Sequence, residues 1–373
     1  MIKVKIILLL VVSMVILPLS AQNLTEAPAK PENLASGVLE NGMHYYVLHN
    51  EEPKDRVSFY FAQNVGSVLE EDSQRGLAHF LEHMAFNGTQ NYKDKEMLEY
   101  LEKNGMKFGS EINAFTSFDE TVYNINQVPV TNEKLLDSVL LILHDWSGYL
   151  SLTDEEIDNE RGVINEEWRT RNTANFRANS KIWLDGYLKG SKYSKRMPIG
   201  LMDVVNNFEY DELRDYYKRW YRPDQQAVVV VGDVDVKELE YKIKDIFSVI
   251  PMQKDLPMRP VFDLPVTDDF VYINSTDKEL GDPSLQYFVK RTPKELSVVE
   301  KIKEEIIGNF TSYILNNRFS ELVLEKNCPV LGVGFGVQEF VRHLEILSLN
   351  ARPKKDSLLS GLKYIVKEYT RFA

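Results

Sequence analysis

The sequence predicts an α+β protein of two related lobes, each a mostly antiparallel sheet covered by helices, with the second lobe truncated. Three observations predict it. Strand-like alternation gives way to helical spacing and then returns, once on each side of a stretch carrying Pro251, Pro257, Pro260 and Pro265. The 373 residues, 43% hydrophobic and 27% charged, suffice for two domains of about 150 residues with a core each. A helical pattern from Lys355 reaches Ala373 without a capping residue, so the second lobe reads as unfinished.

The elements follow in order. Met1 to Lys5 is a basic start, Ile6 to Leu19 an apolar run broken by Ser13 and Pro18, and Leu19-Ser20-Ala21 a small-residue exit. This is a secretory signal peptide over 1–21, so the protein is expected to be exported, periplasmic or secreted. The run is shorter than the ~20 residues of a membrane span, and no later stretch is apolar enough, so no span is expected after cleavage. Residues 22–36, with Pro28 and Pro31, read as a linker. The first lobe, 37–250, opens with a hairpin from Gly37 to His49 around Asn41-Gly42, then a strand from Arg56 to Val68. Helical spacing follows over Leu77–Phe86 and Lys93–Asn104, strand character over Glu120–Val128, and helices over Asn132–Leu150 and from Thr153 to about Arg171. Residues 172–200 read as irregular; a helix at Asp211–Trp220, a buried strand at Ala227–Val231 and a helix at Val236–Val249 complete the lobe. After the 251–265 linker, the second lobe over 266–373 is expected to hold no catalytic residue. It has strands near 270–275 and 284–290, helices over 293–317 and 319–326, strands near 330–337 and 343–350, and the last helix.

Composition excludes several chemistries. A net charge of −12 argues against a nucleic-acid partner held by phosphate neutralisation. The single cysteine, Cys328, excludes a disulfide framework and any thiolate-cluster zinc site. A bound metal must therefore draw on Asp, Glu and the six histidines.

Two of those histidines stand at metal-ligand spacing. In His79-Phe-Leu-Glu-His83, on a predicted helix, residues i and i+4 share a face, so both imidazoles reach one ion. A catalytic zinc takes three protein ligands and leaves one position open, so a carboxylate should join them. Zinc lowers the pKa of a bound water towards ~7, and a second, unligated carboxylate accepts the proton. Glu82 is placed for that work. Against this stands a plain surface helix with two histidines and an acidic neighbour. His44, His49, His144 and His343 have no ligand spacing.

The inverted order His-x-x-Glu-His, within Gly76-Leu-Ala-His-Phe-Leu-Glu-His-Met-Ala-Phe-Asn-Gly-Thr89, resembles the signature of the pitrilysin/insulysin family of inverted-zincin zinc metallopeptidases. That family includes mitochondrial processing peptidases and bacterial exported zinc proteases. The resemblance extends through Asn113-Ala-Phe-Thr-Ser-Phe-Asp-Glu-Thr-Val-Tyr123, Glu160-Arg-Gly-Val-Ile-Asn-Glu-Glu167 and Tyr193-Ser-Lys-Arg-Met-Pro-Ile-Gly200; residues 260–373 follow it only in general pattern. It implies one Zn2+ per chain, with a third ligand seven residues after the Glu of a Glu-Arg pair, which is Glu167. Neighbouring helical residues point about 100° apart, so Glu166 and Glu167 cannot both face the ion. Glu160 resembles the family's supporting carboxylate behind an imidazole, and Asn113-Ala114 falls where the family lays a peptide against an edge strand.

The resulting expectation is a zinc-dependent endopeptidase acting on peptides or unfolded polypeptides: His79, His83 and Glu167 as ligands, Glu82 as general base. The family's enclosed site further implies a second half, in a longer chain or a partner subunit. The competing readings are a non-catalytic binding subunit of the same family and a metal-dependent hydrolase with another substrate.

Overall fold

The computed structural model describes residues 29–252, 257–267 and 269–372; the signal-peptide reading at 1–21, the start of the first linker and 253–256 of the second lie outside the described residues. Strands β1 (Leu34–Val38) and β2 (His44–His49) form the first hairpin. Its Asn41-Gly42 turn has Gly42 at φ 91°, and the Asn41 side chain donates to the Phe247 and Ile250 carbonyls, tying the turn to the lobe's far end. β3 (Arg56–Gln63) alternates in burial along its length and ends before the sequence pattern does, because Ser67–Leu69 turns into a 3-10 segment.

Next come α1 (Leu77–Met84), α2 (Glu96–Lys103), β4 (Ile112–Thr116), β5 (Thr121–Pro129), α3 (Glu133–Gly148) and α4 (Asp154–Arg171). Asn132 and Thr153 cap α3 and α4 by accepting the N–H groups of Leu135 and Glu156. The stretch expected to be irregular contains α5 (Ala174–Ile182), capped by Thr173. Then follow α6 (Met202–Asn207), α7 (Tyr210–Trp220), β6 (Gln226–Gly232) and α8 (Val236–Phe247).

These strands make one six-stranded sheet in the order β1-β2-β6-β3-β5-β4, antiparallel except for the β2–β6 pair. Phe59, Phe61, Tyr123 and Trp146 fill the core beneath it. β4 pairs only with β5, so one long edge of the sheet is open at β4.

The second lobe holds β7 (Leu285–Arg291), α9 (Val298–Val323), β8 (Val330–Val341), β9 (Leu344–Pro353) and α10 (Leu358–Phe372), with an antiparallel sheet β7-β9-β8. Residues 270–275 pair with no strand among the described residues: Phe270, Val271 and Tyr272 are all exposed and Ile273 packs on Gly186, so the strand expected there is not formed. The two helices expected between 293 and 326 are one. Ser297 and Glu300 form a capping box at its start, and Asn316 exchanges hydrogen bonds with the Phe335 backbone at 2.8 and 2.9 Å, holding the helix straight through Asn317. The tip of the β8–β9 hairpin enters the first lobe, where Val341, Leu344 and Ile346 join its core. No helix among the described residues is long and apolar enough to cross a membrane.

Candidate metal centre

Helix α1 is buried along nearly its whole length and held at its start by two devices. Gly76 takes φ +110° before the first turn, and Gly200, at φ +77°, packs directly on it. The Glu70 carboxyl group accepts the Ala78 N–H at 2.9 Å, satisfying a free donor of the first turn. One turn apart on this helix, the rings of His79 and His83 meet edge to face at 4.7 Å.

Helix α4 brings the carboxylates. Glu167 Oε2 lies 3.4 Å from His79 Nε2 and 3.3 Å from His83 Nε2, and one ligand atom from each of the three residues falls within 4.8 Å of the others. The other Glu167 oxygen pairs with Arg171 at 2.6 Å. Glu166 points away and is forked by Arg169. Two turns before Glu167, Glu160 receives His83 Nδ1 at 2.7 Å and the Asn87 amide at 2.5 Å. Arg161 anchors α4 sideways, donating to the Val205 and Phe208 carbonyls and lying over the Phe208 ring.

The donor set fits a zinc ion on its chemistry and on an orphaned atom. Glu167 Oε2 is buried without a hydrogen-bond partner, yet faces two imidazole nitrogens. Two imidazoles and a carboxylate, with no thiolate, are the donors of a hydrolytic zinc site. Electrostatics prepare the same cluster. Burial, with the neighbouring His83, lowers His79 to about 4 and keeps it neutral. Burial works against charge on His83 too, but its hydrogen bond to Glu160 and the facing Glu167 carboxylate outweigh this and raise it to about 9. Both glutamates are held below their usual range despite burial, through the same His83 contacts.

Glu82 lies beside the cluster and outside it. Burial raises its pKa, opposed by a hydrogen bond from Thr116 Oγ1 to Oε2 at 2.6 Å. Thr116 ends β4, the open edge strand. Asn113 and Ala114 lie on this same strand, opposite Asn124 and Tyr123; the Asn113 side chain is exposed and its Oδ1 accepts the Ala114 N–H at 2.9 Å. Sequence reasoning did not single out Thr116, Arg161 or Glu70. Arg161 was within reach, since it belongs to the Glu-Arg pair; no spacing rule links Thr116 or Glu70 to the helix.

A helix bearing paired imidazoles, a second helix bearing the facing carboxylate, and a further glutamate beside an open strand edge are the donor arrangement that an inverted-zincin site would need, on an α+β lobe. The family model of insulinase, peptidase family M16, matches residues 45–182, and that of the M16 inactive domain matches residues 207–360. The chain belongs to the M16 peptidase family. It is 35% identical over 291 residues to a "Probable zinc protease PqqL" of Haemophilus influenzae, covering 78% of this chain and 31% of that protein. The Escherichia coli protein of that name is 39% identical over 247 residues, 66% of this chain and 26% of the relative. The crystal structure of the first half of the periplasmic protease PqqL from Escherichia coli superposes with TM-score 0.79 at 32% identity, over 89% of this chain and 70% of that one. Pitrilysin shares the fold, with TM-score 0.67 at 18% identity, over 91% of this chain and 36% of that one. The chain thus spans about a third of the length of the curated relatives it matches.

Proposed function

We propose that this chain carries the zinc centre of an exported endopeptidase that hydrolyses peptides or unfolded polypeptides. The observation that carries the reading is the separation of roles within α1. His79 and His83 converge with Glu167, while Glu82, on the same turn, keeps out of the cluster with one oxygen tied to Thr116.

In this reading one Zn2+ is held by His79, His83 and Glu167, and when bound it supplies Lewis acidity to water and to the scissile carbonyl. Glu160 fixes the His83 ring by accepting Nδ1–H, so that Nε2 is left for the ion. Glu82 takes a proton from the attacking water and returns it to the leaving amine. Its burial favours the protonated form between those two events. The β4 edge is open to an extended peptide near Asn113 and Ala114, where pairing would take over the Ala114 N–H from Asn113 Oδ1, giving affinity with little demand on sequence.

The chain divides in this reading into the zinc-bearing lobe 37–250, the linker 251–265 and a non-catalytic lobe from 266. Relatives about two and a half times as long support a further half that closes over the site, in a longer chain or a partner subunit. The signal pattern at 1–21 and the periplasmic Escherichia coli relative support export.

The test measures zinc content beside hydrolysis of a quenched peptide library, with this chain alone and with its longer natural form. Stoichiometric zinc, loss of activity with a chelator and recovery on adding zinc are expected. Hydrolysis that survives metal removal would overturn the mechanism, and full zinc occupancy without hydrolysis in either form would leave the binding-subunit reading.

A further inference from the structure

We infer that Thr116 is the positioning residue for Glu82, so that the strand offered to the substrate also sets the orientation of the base. The inference rests on the function proposed above and adds a residue to it.

Among the described residues, the Thr116 hydroxyl is the one group that hydrogen-bonds the Glu82 side chain, at 2.6 Å and across 34 positions of sequence. A glutamate has three rotatable bonds, and fixing them costs entropy that a single well-placed donor must offset. Thr116 is itself well fixed. It closes the β4–β5 ladder opposite Thr121, lies 3.3 Å from the Thr121 hydroxyl, and precedes a turn locked by Ser117 N–H to the Glu120 carbonyl at 2.8 Å. Thr121 is anchored in turn on the Val65 carbonyl at 3.0 Å. A hydroxyl has one proton to give. The short Thr116–Glu82 distance commits that proton to Oε2, leaving Oε1 with no side-chain partner and in a defined place.

The consequence is a mechanical link. A peptide added to the open edge of β4 contacts the strand whose last side chain holds the base. Strand and base are then aligned as one body.

The experiment compares Thr116→Val, which keeps the shape and removes the donor, with Thr116→Ser, which keeps the donor. Each is made in the longer natural protein and assayed for zinc content, melting temperature and peptide hydrolysis. Thr116→Val is expected to lower kcat about ten- to a hundredfold, as misplaced catalytic groups do, with KM and zinc content near wild type. Thr116→Ser is expected to recover most of the loss. Crystals of Thr116→Val without metal should show Glu82 in more than one rotamer. If Thr116→Val fails to fold, Thr116→Ala replaces it in the same comparison. Unchanged kcat in the donor-less variant, or a loss in which zinc, stability and activity fall together and serine gives no rescue, overturns the inference while leaving the endopeptidase reading intact. A wild-type protein that holds zinc and cleaves nothing overturns that reading first, and the inference with it.

Discussion

Gly200 lies so close to Gly76 that a Cβ built on it would stand 2.3 Å from the Gly76 Cα and 2.7 Å from the Arg75 carbonyl oxygen. Two residues 124 positions apart thus set the entry of the histidine-bearing helix by backbone contact alone. Gly200→Ala must push that helix aside, and its φ of +77° penalises any side chain as well. The expected cost is about 1–3 kcal/mol in a denaturant melt, with weaker zinc binding. Gly148→Ala is the control: nothing lies within 4 Å of its Cβ position, and stability should rise by up to about 1 kcal/mol. Equal effects of the two substitutions would refute the packing argument.

The two glutamates nearest the imidazoles should fail in different ways. Glu82→Gln is expected to abolish turnover while zinc stays bound, because Glu82 sits outside the three-donor cluster. Glu167→Gln is expected to lower zinc affinity itself. Metal analysis of both purified variants checks this, and the assignment is wrong if Glu82→Gln loses its zinc while Glu167→Gln keeps both metal and activity.

Glu160 makes the metal-free site basic, and that is measurable as protons. His83 in the metal-free protein is raised to about 9, burial being outweighed by Glu160 and Glu167, so it is charged at pH 7–8. Zinc needs the neutral ring, so binding must release that proton, and apparent affinity should rise with pH up to about 9. In Glu160→Gln the principal acceptor is gone and the His83 pKa falls towards its ordinary ~6.5, so fewer protons leave at pH 8. Affinity itself should drop about 10–100-fold. Calorimetry in buffers of different ionisation enthalpy reads both; equal proton release from the two proteins would contradict the role given to Glu160.

The parts of this molecule legible in the sequence are those written locally. The i, i+4 histidines, the Thr153 cap and the Asn41-Gly42 turn each use a rule spanning a few residues, and each leads to an observed element or pairing. The choice of Glu167 over Glu166 came from a resemblance and not from periodicity; in the structure Glu166 turns outward to Arg169. What was missed depends on distant partners. Nothing near Asn317 shows that Asn316 will grip β8 and keep α9 continuous, and nothing near 270–275 shows that Ile273 will pack on Gly186 instead of joining a strand. The Thr116–Glu82 and Arg342–Asp119 contacts join segments 34 and 223 positions apart.

Glu70 gives the cleanest stability dependence on pH. It is fully buried, one oxygen accepts Ala78 N–H and the other has no partner, and burial raises its pKa to about 8. The folded value lies above the unfolded one of about 4.3, so the folded state holds the proton more tightly. Its stabilising contribution is complete below the unfolded pKa and is lost as pH rises towards about 8. Glu70→Gln keeps an acceptor for Ala78 and never ionises. The variant should match wild type near pH 4 and exceed it at pH 9, by on the order of a few kcal/mol. A stability difference that does not grow between those limits would contradict a protonated Glu70.

Asp119 is where the two lobes are joined. Its Oδ1 takes Tyr193 OH at 2.8 Å and Arg259 Nη2 at 3.1 Å, and its Oδ2 takes the Arg342 N–H at 2.9 Å, at the inserted hairpin tip. Asp119 and Arg259 are each 7% exposed in their side chains, so removing one leaves a buried partner uncompensated. That loss typically costs about 3–5 kcal/mol, whereas an exposed helical pair such as Glu99–Lys103 is worth about 0.3–0.5 kcal/mol. Asp119→Ala should therefore destabilise strongly and Glu99→Ala hardly at all. Adding Arg259→Ala to Asp119→Ala should cost less than the sum of the single changes, because both remove the same contact. Because the hairpin tip loses its anchor, cleavage by an added protease should quicken in the linker at 257–265 before the first lobe unfolds. Additive single and double variants, or cleavage that begins within the first lobe, would show that Asp119 does not hold the lobes together.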